Sequence, residues 1–169
     1  KMSYMVRFKV CAASQWIQDL QENFNIGPRK TYRLGPPSSK LNFKQLLCYL
    51  IGYVDGDGCI FFRESIRPRY KGPVKQFSVN FASASITILD WVKEIIDKVV
   101  PIEFSQTPKK LTMPNSKTKE VKGKNTKCYS IGGIRALLLF SFLKDFDVPK
   151  LQRKWAQPVV LTFLEEQKQ

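Results

Sequence analysis

Leu50-Ile51-Gly52-Tyr53-Val54-Asp55-Gly56-Asp57-Gly58 closes an apolar run that begins at Leu46. As a helix, this run carries apolar residues on nearly every side and keeps no polar face for solvent. Such a helix must be covered all round. Gly52 has no side chain and lets another backbone come close. Gly56 and Gly58 stop the helix and release the chain into the strand-like Cys59-Ile60-Phe61-Phe62. Two carboxylates, Asp55 and Asp57, are then held at the tip of a covered helix. Oxygen ligands so placed suit a hard divalent cation. Taken alone, Asp-Gly-Asp-Gly is also an ordinary turn.

Outward from this stretch the pattern alternates helix and strand pairs. Asn42 is a good N-cap for the apolar helix, which runs to about residue 55. Residues 60–66 read as a strand, 67–73 as a basic turn, and 76–84 as a second strand. In the latter, Phe77, Val79 and Phe81 point one way and Gln76, Ser78 and Asn80 the other. Ser85 precedes a helix over 86–99 whose inward side carries Ile88, Leu89, Val92, Ile95 and Ile96, and Pro101 closes it. Residues 104–113 and 127–131 read as a hairpin joined by a long arm with Lys117, Lys119, Lys122, Lys124 and Lys127. An apolar helix over 135–146 breaks near Pro149, and a last helix over 150–166 carries Pro158 as a kink or break. The order is helix, strand, strand, helix, strand, strand, helix. The predicted class is α+β, an αββαββα unit preceded by a short β-α segment.

That preceding segment holds a strand over 4–10 with basic Arg7 and Lys9 on one face. Ser14 then caps a helix with Trp16, Ile17, Leu20 and Phe24 on its apolar side, ended by Gly27-Pro28. It resembles the end of the main unit. Phe24-Asn25-Ile26-Gly27-Pro28-Arg29 parallels Phe146-Asp147-Val148-Pro149-Lys150, each after a strand and a helix. Residues 1–36 therefore read as the tail and linker of an otherwise missing first half-domain, and 37–169 as the main domain.

The 28 basic and 14 acidic residues leave a net charge of +14, which points to a polyanion: nucleic acid first, an anionic membrane second. Hydrophobic residues make up 43%, too many for a disordered chain. With no histidine, Ser-His-Asp and Cys-His nucleophilic sites and His-based zinc sites are excluded. Cys11, Cys48, Cys59 and Cys128 show no Cys-x-x-Cys spacing and read as buried free thiols in a reducing intracellular compartment, an organelle or a bacterial or phage-infected cytoplasm. No apolar run reaches membrane-spanning length and no secretory leader is evident, so no membrane partner is expected. The Lys1-Met2 start is expected either to carry an added residue or to lie inside a longer protein.

The stretch from Leu50 to Gly58 resembles the signature of the LAGLIDADG homing endonucleases, with Ile51 for a small residue, Tyr53 for an aliphatic and Gly56 for alanine. The resemblance extends over about residues 41–155 and implies an antiparallel sheet forming a saddle on double-stranded DNA. It implies site-specific hydrolysis of phosphodiesters with Mg2+ or another divalent cation between two signature helices. Asp57 matches the metal ligand and is, through the metal, an expected catalytic residue. Lys150 aligns with the active-site lysine after a Phe-x-x-Pro turn, unless it is a plain surface lysine. Leu50, Gly52, Tyr53 and Asp55 are expected at the interface of the motif helices, Asp55 in a structural place. One signature is present where two are needed. A second half must come from a homodimer or a separately encoded N-terminal half. DNA contacts are expected from Arg63, Arg67, Arg69, Lys75, Gln76, Ser78 and Asn80, and from Lys109, Lys127 and Tyr129. Ser85 stands where some relatives have glutamine; it either orders water or caps the next helix, with capping preferred. The alternative function is an intron maturase or other RNA-binding ribonucleoprotein component on the same fold, without nuclease activity.

Overall fold

The computed structural model describes residues 14–26, 34–66, 72–101, 116–120 and 126–166. Helix α1 (Gln15–Phe24) precedes the apolar helix α2 (Phe43–Gly56). Strands β1 (Gly58–Ile66) and β2 (Pro73–Ser83) lead to helix α3 (Ile86–Val99). Strands β3 (Ser116–Glu120) and β4 (Lys127–Gly132) lead to α4 (Gly133–Lys144), α5 (Gln152–Trp155) and α6 (Pro158–Glu166).

Helix α2 begins on a capping box. Asn42 Oδ1 accepts from the Gln45 N–H at 3.0 Å, and Gln45 Oε1 accepts from the Asn42 N–H at 2.9 Å. It ends with no loop, and β1 starts at Gly58. A Cβ on Gly58 would lie 2.6 Å from Val54 Cα and 2.8 Å from Val54 O, so only glycine lets the strand fold back on the helix end.

The four strands are antiparallel in the order β1-β2-β4-β3. One face is the core: Ile60, Val79, Ile131, Phe81 and Tyr129 lie under α2, α3 and α4. Phe140 of α4 sits between Phe77, edge-on at 5.5 Å, and Trp155, stacked at 5.4 Å. Phe62 packs on Phe163 at 5.2 Å, which brings α6 onto the far end of β1. Tyr53 donates from its hydroxyl to the Ala82 carbonyl at 2.9 Å and stacks on Phe81, tying α2 to β2.

Arg135 is fully buried on α4. Its Nε donates to the Val100 carbonyl at 3.0 Å, and its guanidinium also pairs with Asp97, which Lys93 engages too. That arrangement staples the end of α3 to the start of α4.

Several local expectations change. The partner of β4 is Ser116–Glu120, inside the stretch read as a lysine arm, whereas 104–113 lies outside the described residues. Lys117 and Lys119 therefore occupy sheet positions in register with Ser130 and Cys128. Helix α1 stops at Asn25, in the left-handed conformation (φ 54°), before Gly27-Pro28. Ser14 and Ser85 occupy N-cap positions without capping through their side chains. Ser85 Oγ instead bonds the Leu34 carbonyl at 2.6 Å, a tertiary tie no local pattern announces. Pro158 opens α6 rather than kinking one long helix. The strand read over 4–10 and the repeat residue Arg29 fall outside the described residues. Helix α1 packs on α2, with Phe24 stacked on Tyr49 at 5.8 Å.

Candidate functional site

The tip of α2 separates its two carboxylates. Asp55 is spoken for: Oδ2 accepts from the Leu151 N–H at 3.0 Å and Oδ1 from Trp155 Nε1 at 2.6 Å. It therefore anchors α5 beneath the helix tip. Asp57 is the C-cap residue, its N–H donating to Tyr53 O at 2.9 Å and its side chain exposed. Among the described residues no donor engages the Asp57 carboxylate.

Both acids stand at the negative end of a helix dipole, with no basic residue in the last turn of α2. A lysine from elsewhere supplies the compensation. Lys154 Nζ donates to the carbonyls of Val54 and Gly58, each at 2.6 Å, and the side chain is buried. Burial pushes its ammonium below the usual lysine range, aided by Arg153 and opposed by Asp55 and Asp57.

Lys150 takes a different place. It precedes α5, and its ammonium is turned back on the Phe146 carbonyl. The lysine that grips the helix tip is thus four residues later than the one picked from the Phe-x-x-Pro turn. The signal was there in part: Lys154 and Trp155 are adjacent, and α5 brings both under the two-aspartate tip. Substituting Lys154 by Met leaves two carbonyls without their donor and is expected to destabilise the fold by about 1–3 kcal/mol. Lys150→Ala should cost less than about 1 kcal/mol. Urea unfolding of the two variants checks the order.

The other sheet face is open. Its rows follow the register: Cys59 opposite Asn80 opposite Ser130, Phe61 opposite Ser78 opposite Gly132, and Arg63 opposite Gln76. Gln76, Ser78 and Asn80 therefore face as expected, and exposed Arg63 joins them. Lys75 does not. It points to the helical side, where its ammonium pairs with Glu166 of α6 and lies 5.7 Å from the Phe163 ring centre. Tyr129 is also inward, 1% exposed, with half-buried Lys127 at the same strand parity. A one-residue shift in parity exchanges the two faces of a strand, so the outward residues of β4 are Cys128 and Ser130. Cys59 is exposed and Cys48 and Cys128 are half-buried, so the thiols are not uniformly core. Arg67, Arg69 and Lys109 lie outside the described residues.

The flank of α2 gives a third feature. Leu50, 0% exposed, and Tyr53, 8% exposed, are buried in the chain's own core and unavailable to a partner helix. Burial pushes the Tyr53 phenol up to about 12, so it remains a donor at neutral pH. Among the described residues, the open side is Gly52 and Gly56, where an added Cβ would meet none of their atoms within 4 Å. Beside them a cavity of about 300 Å³ is lined by Ile26, Leu34, Tyr49, Tyr53 and Asp57.

The same architecture occurs in the structure of I-GzeII, a LAGLIDADG homing endonuclease in complex with its DNA target. The two superpose with a TM-score of 0.50 at 8% sequence identity, over 76% of this chain and 37% of that one. The fold is that of the LAGLIDADG homing endonucleases. The homing endonuclease I-TnaI is also similar, with a TM-score of 0.45, 14% identity, and 72% and 73% of the two chains covered. No protein-family model and no curated protein sequence matches the chain. It spans just over a third of the I-GzeII chain.

On a LAGLIDADG fold, one unengaged carboxylate at the motif-helix tip fits one half of an oxygen-ligand cation site. Asp55, with both oxygens bonded, does not fit as a second ligand. Among the described residues no group of three or more His, Cys, Asp or Glu side chains forms a complete site. None of the described helices is long and apolar enough to cross a membrane.

Proposed function

We propose that this chain is one half of a site-specific, divalent-metal-dependent DNA endonuclease. The carrying observation is the Asp57 carboxylate, which no donor among the described residues engages, at the end of the motif helix where the open sheet face begins. A net charge of +14 supports a polyanionic substrate. The I-GzeII structure contains a DNA target, and the shared fold supports the same class of substrate here.

In this reading the duplex lies on the open face, with Arg63, Gln76, Ser78 and Asn80 at base edges and backbone. Asp57 holds one side of a Mg2+ site, and a carboxylate from the second half holds the other. When bound, the metal would supply a nucleophilic water at neutral pH and stabilise the leaving oxyanion. Asp55 and Lys154 act through the scaffold: one anchors α5, the other clamps the carbonyls flanking Asp57. The second half docks on the Gly52 and Gly56 side of α2, where backbones can approach closely.

The test is a Mg2+-dependent cleavage assay on a randomised duplex library, run with the chain alone and with candidate N-terminal halves. Cleavage at a defined sequence supports the proposal. Tight binding to structured RNA without DNA cleavage by any combination sinks it in favour of a maturase. Gly52→Trp should leave the monomer folded, because no atom of the described residues lies within 4 Å of the new Cβ, yet remove pairing. Sedimentation with target DNA reads the effect; an unchanged two-half complex would show that this helix face is not the interface.

A further inference from the structure

We propose that Asn80 reads an adenine close to the cut, and that Ser130 is the positioning residue that aims it. The inference rests on the DNA-cleaving reading above and assigns one part of its specificity.

Asn80 stands in the middle of the open face, between Cys59 on β1 and Ser130 on β4. Both neighbours are in register with it, so its side chain has a wall on each side. The Ser130 hydroxyl donates to Asn80 Oδ1. On the other side Asn80 Nδ2 donates weakly to Ser78 Oγ, at 3.5 Å. An amide carries two acceptor lone pairs and two N–H donors. Across the strand, Ser130 takes one lone pair. Along the strand, Ser78 takes one N–H. Among the described residues, one acceptor lone pair and one N–H of the amide remain for a ligand.

That leftover pair is complementary to adenine in the major groove, which offers the N6 donor and the N7 acceptor next to each other. Guanine offers two acceptors there, and its O6 would face the amide oxygen. The Ser130 and Ser78 hydroxyls can each donate or accept, so they hold the plane of the amide in either orientation, and either orientation leaves one donor and one acceptor for the base.

The position sets which base is read. Asn80 is opposite Cys59, two residues beyond Asp57, and its neighbour Phe81 is opposite Gly58. With strands about 4.8 Å apart and residues about 3.4 Å apart, the Asn80 amide stands roughly 10 Å from the metal-ligating carboxylate. The adenine therefore lies within a few base pairs of the scissile phosphate.

The experiment is binding selection from a randomised duplex library in Ca2+, followed by affinities for single-base variants of the preferred site. The assembled two-half protein is used. Wild type should prefer adenine at one near-cut position by about tenfold or more. Asn80→Ala should lose the preference there and keep it elsewhere. Ser130→Ala should weaken the same single preference several-fold with salt dependence unchanged, and Ser130→Thr should restore it. An unchanged profile in Asn80→Ala, or loss of preference for a base other than adenine, overturns the assignment. A Ser130→Ala profile identical to wild type overturns the positioning role. Recovery of no preferred sequence by wild type overturns the DNA reading itself, a distinguishable failure.

Discussion

Asp57→Asn is expected to abolish strand cleavage, by about a thousandfold or more, while duplex affinity changes little. The amide is nearly isosteric and adds no bulk at the exposed tip of α2, so the open sheet face is undisturbed. What it lacks is the charge that binds a hard cation. The same substitution should change fold stability by less than about 1 kcal/mol, because relief of the unfavourable helix dipole is offset by the lost attraction to the Lys154 ammonium. Cleavage is thus lost without a matching loss of stability. Single-turnover cleavage, filter binding and urea unfolding of the same preparation measure all three. A variant that still cuts would show that Asp57 is not the metal ligand.

Asp97→Ala is expected to be the most damaging substitution outside the hydrophobic core, costing about 3–5 kcal/mol. Asp97 pairs with Arg135, whose side chain is only 2% exposed, and removing the carboxylate leaves the guanidinium buried with the Val100 carbonyl as its remaining partner among the described residues. Replacing both, as Asp97→Ala with Arg135→Met, should recover part of the loss, since no charge is then left in the core. The pair also sets an acid limit. Burial favours the protonated form of Asp97, but hydrogen bonds from Lys93 and Arg135 outweigh it and hold the carboxyl below its ordinary value. A carboxylate with a depressed folded pKa adds stability that is present above its unfolded value, about 4, and lost as pH falls through the folded value. The gap in stability between wild type and Asp97→Ala should therefore be full at pH 7 and shrink below about pH 4. Denaturation midpoints across that range check the sign. A gap independent of pH would mean that the pair is not ionic.

Much of the fold was legible because its local signals agree. Asn42, the apolar run and Gly58 delimit α2, and the alternation of Phe77, Val79 and Phe81 marks β2 with the correct face inward. Legibility failed where the local signal was weak or where the partner was distant. In β4, Tyr129 and Lys127 looked like a DNA-contacting pair, but an aromatic on a half-buried strand gains more against Phe81 and the core than in solvent. Lys75 carries a charge and so read as outward, yet its strand parity matches Phe77, and Glu166 compensates it from 91 residues away. Ser85 and Lys154 find their partners 51 and about a hundred residues distant, at separations that no period or cap rule spans.

The amino-acid sequence by itself determined the αββαββα order, the helix that ends in two aspartates, the basic surface and the exclusion of histidine chemistry. These depend on periodicity, on glycine and proline positions and on composition, all of which act over a few residues or over the whole chain at once. The signature resemblance implied different places for the two aspartates, and tertiary structure supplies the physical reason. Asp55 and Asp57 are two residues apart and chemically identical. The packing of α5 brings an indole and a backbone N–H to the first, while no donor among the described residues reaches the second. Tertiary structure alone decided that Leu50 and Tyr53 are core and that Gly52 and Gly56 form the open side, because burial is a property of neighbours contributed by distant segments.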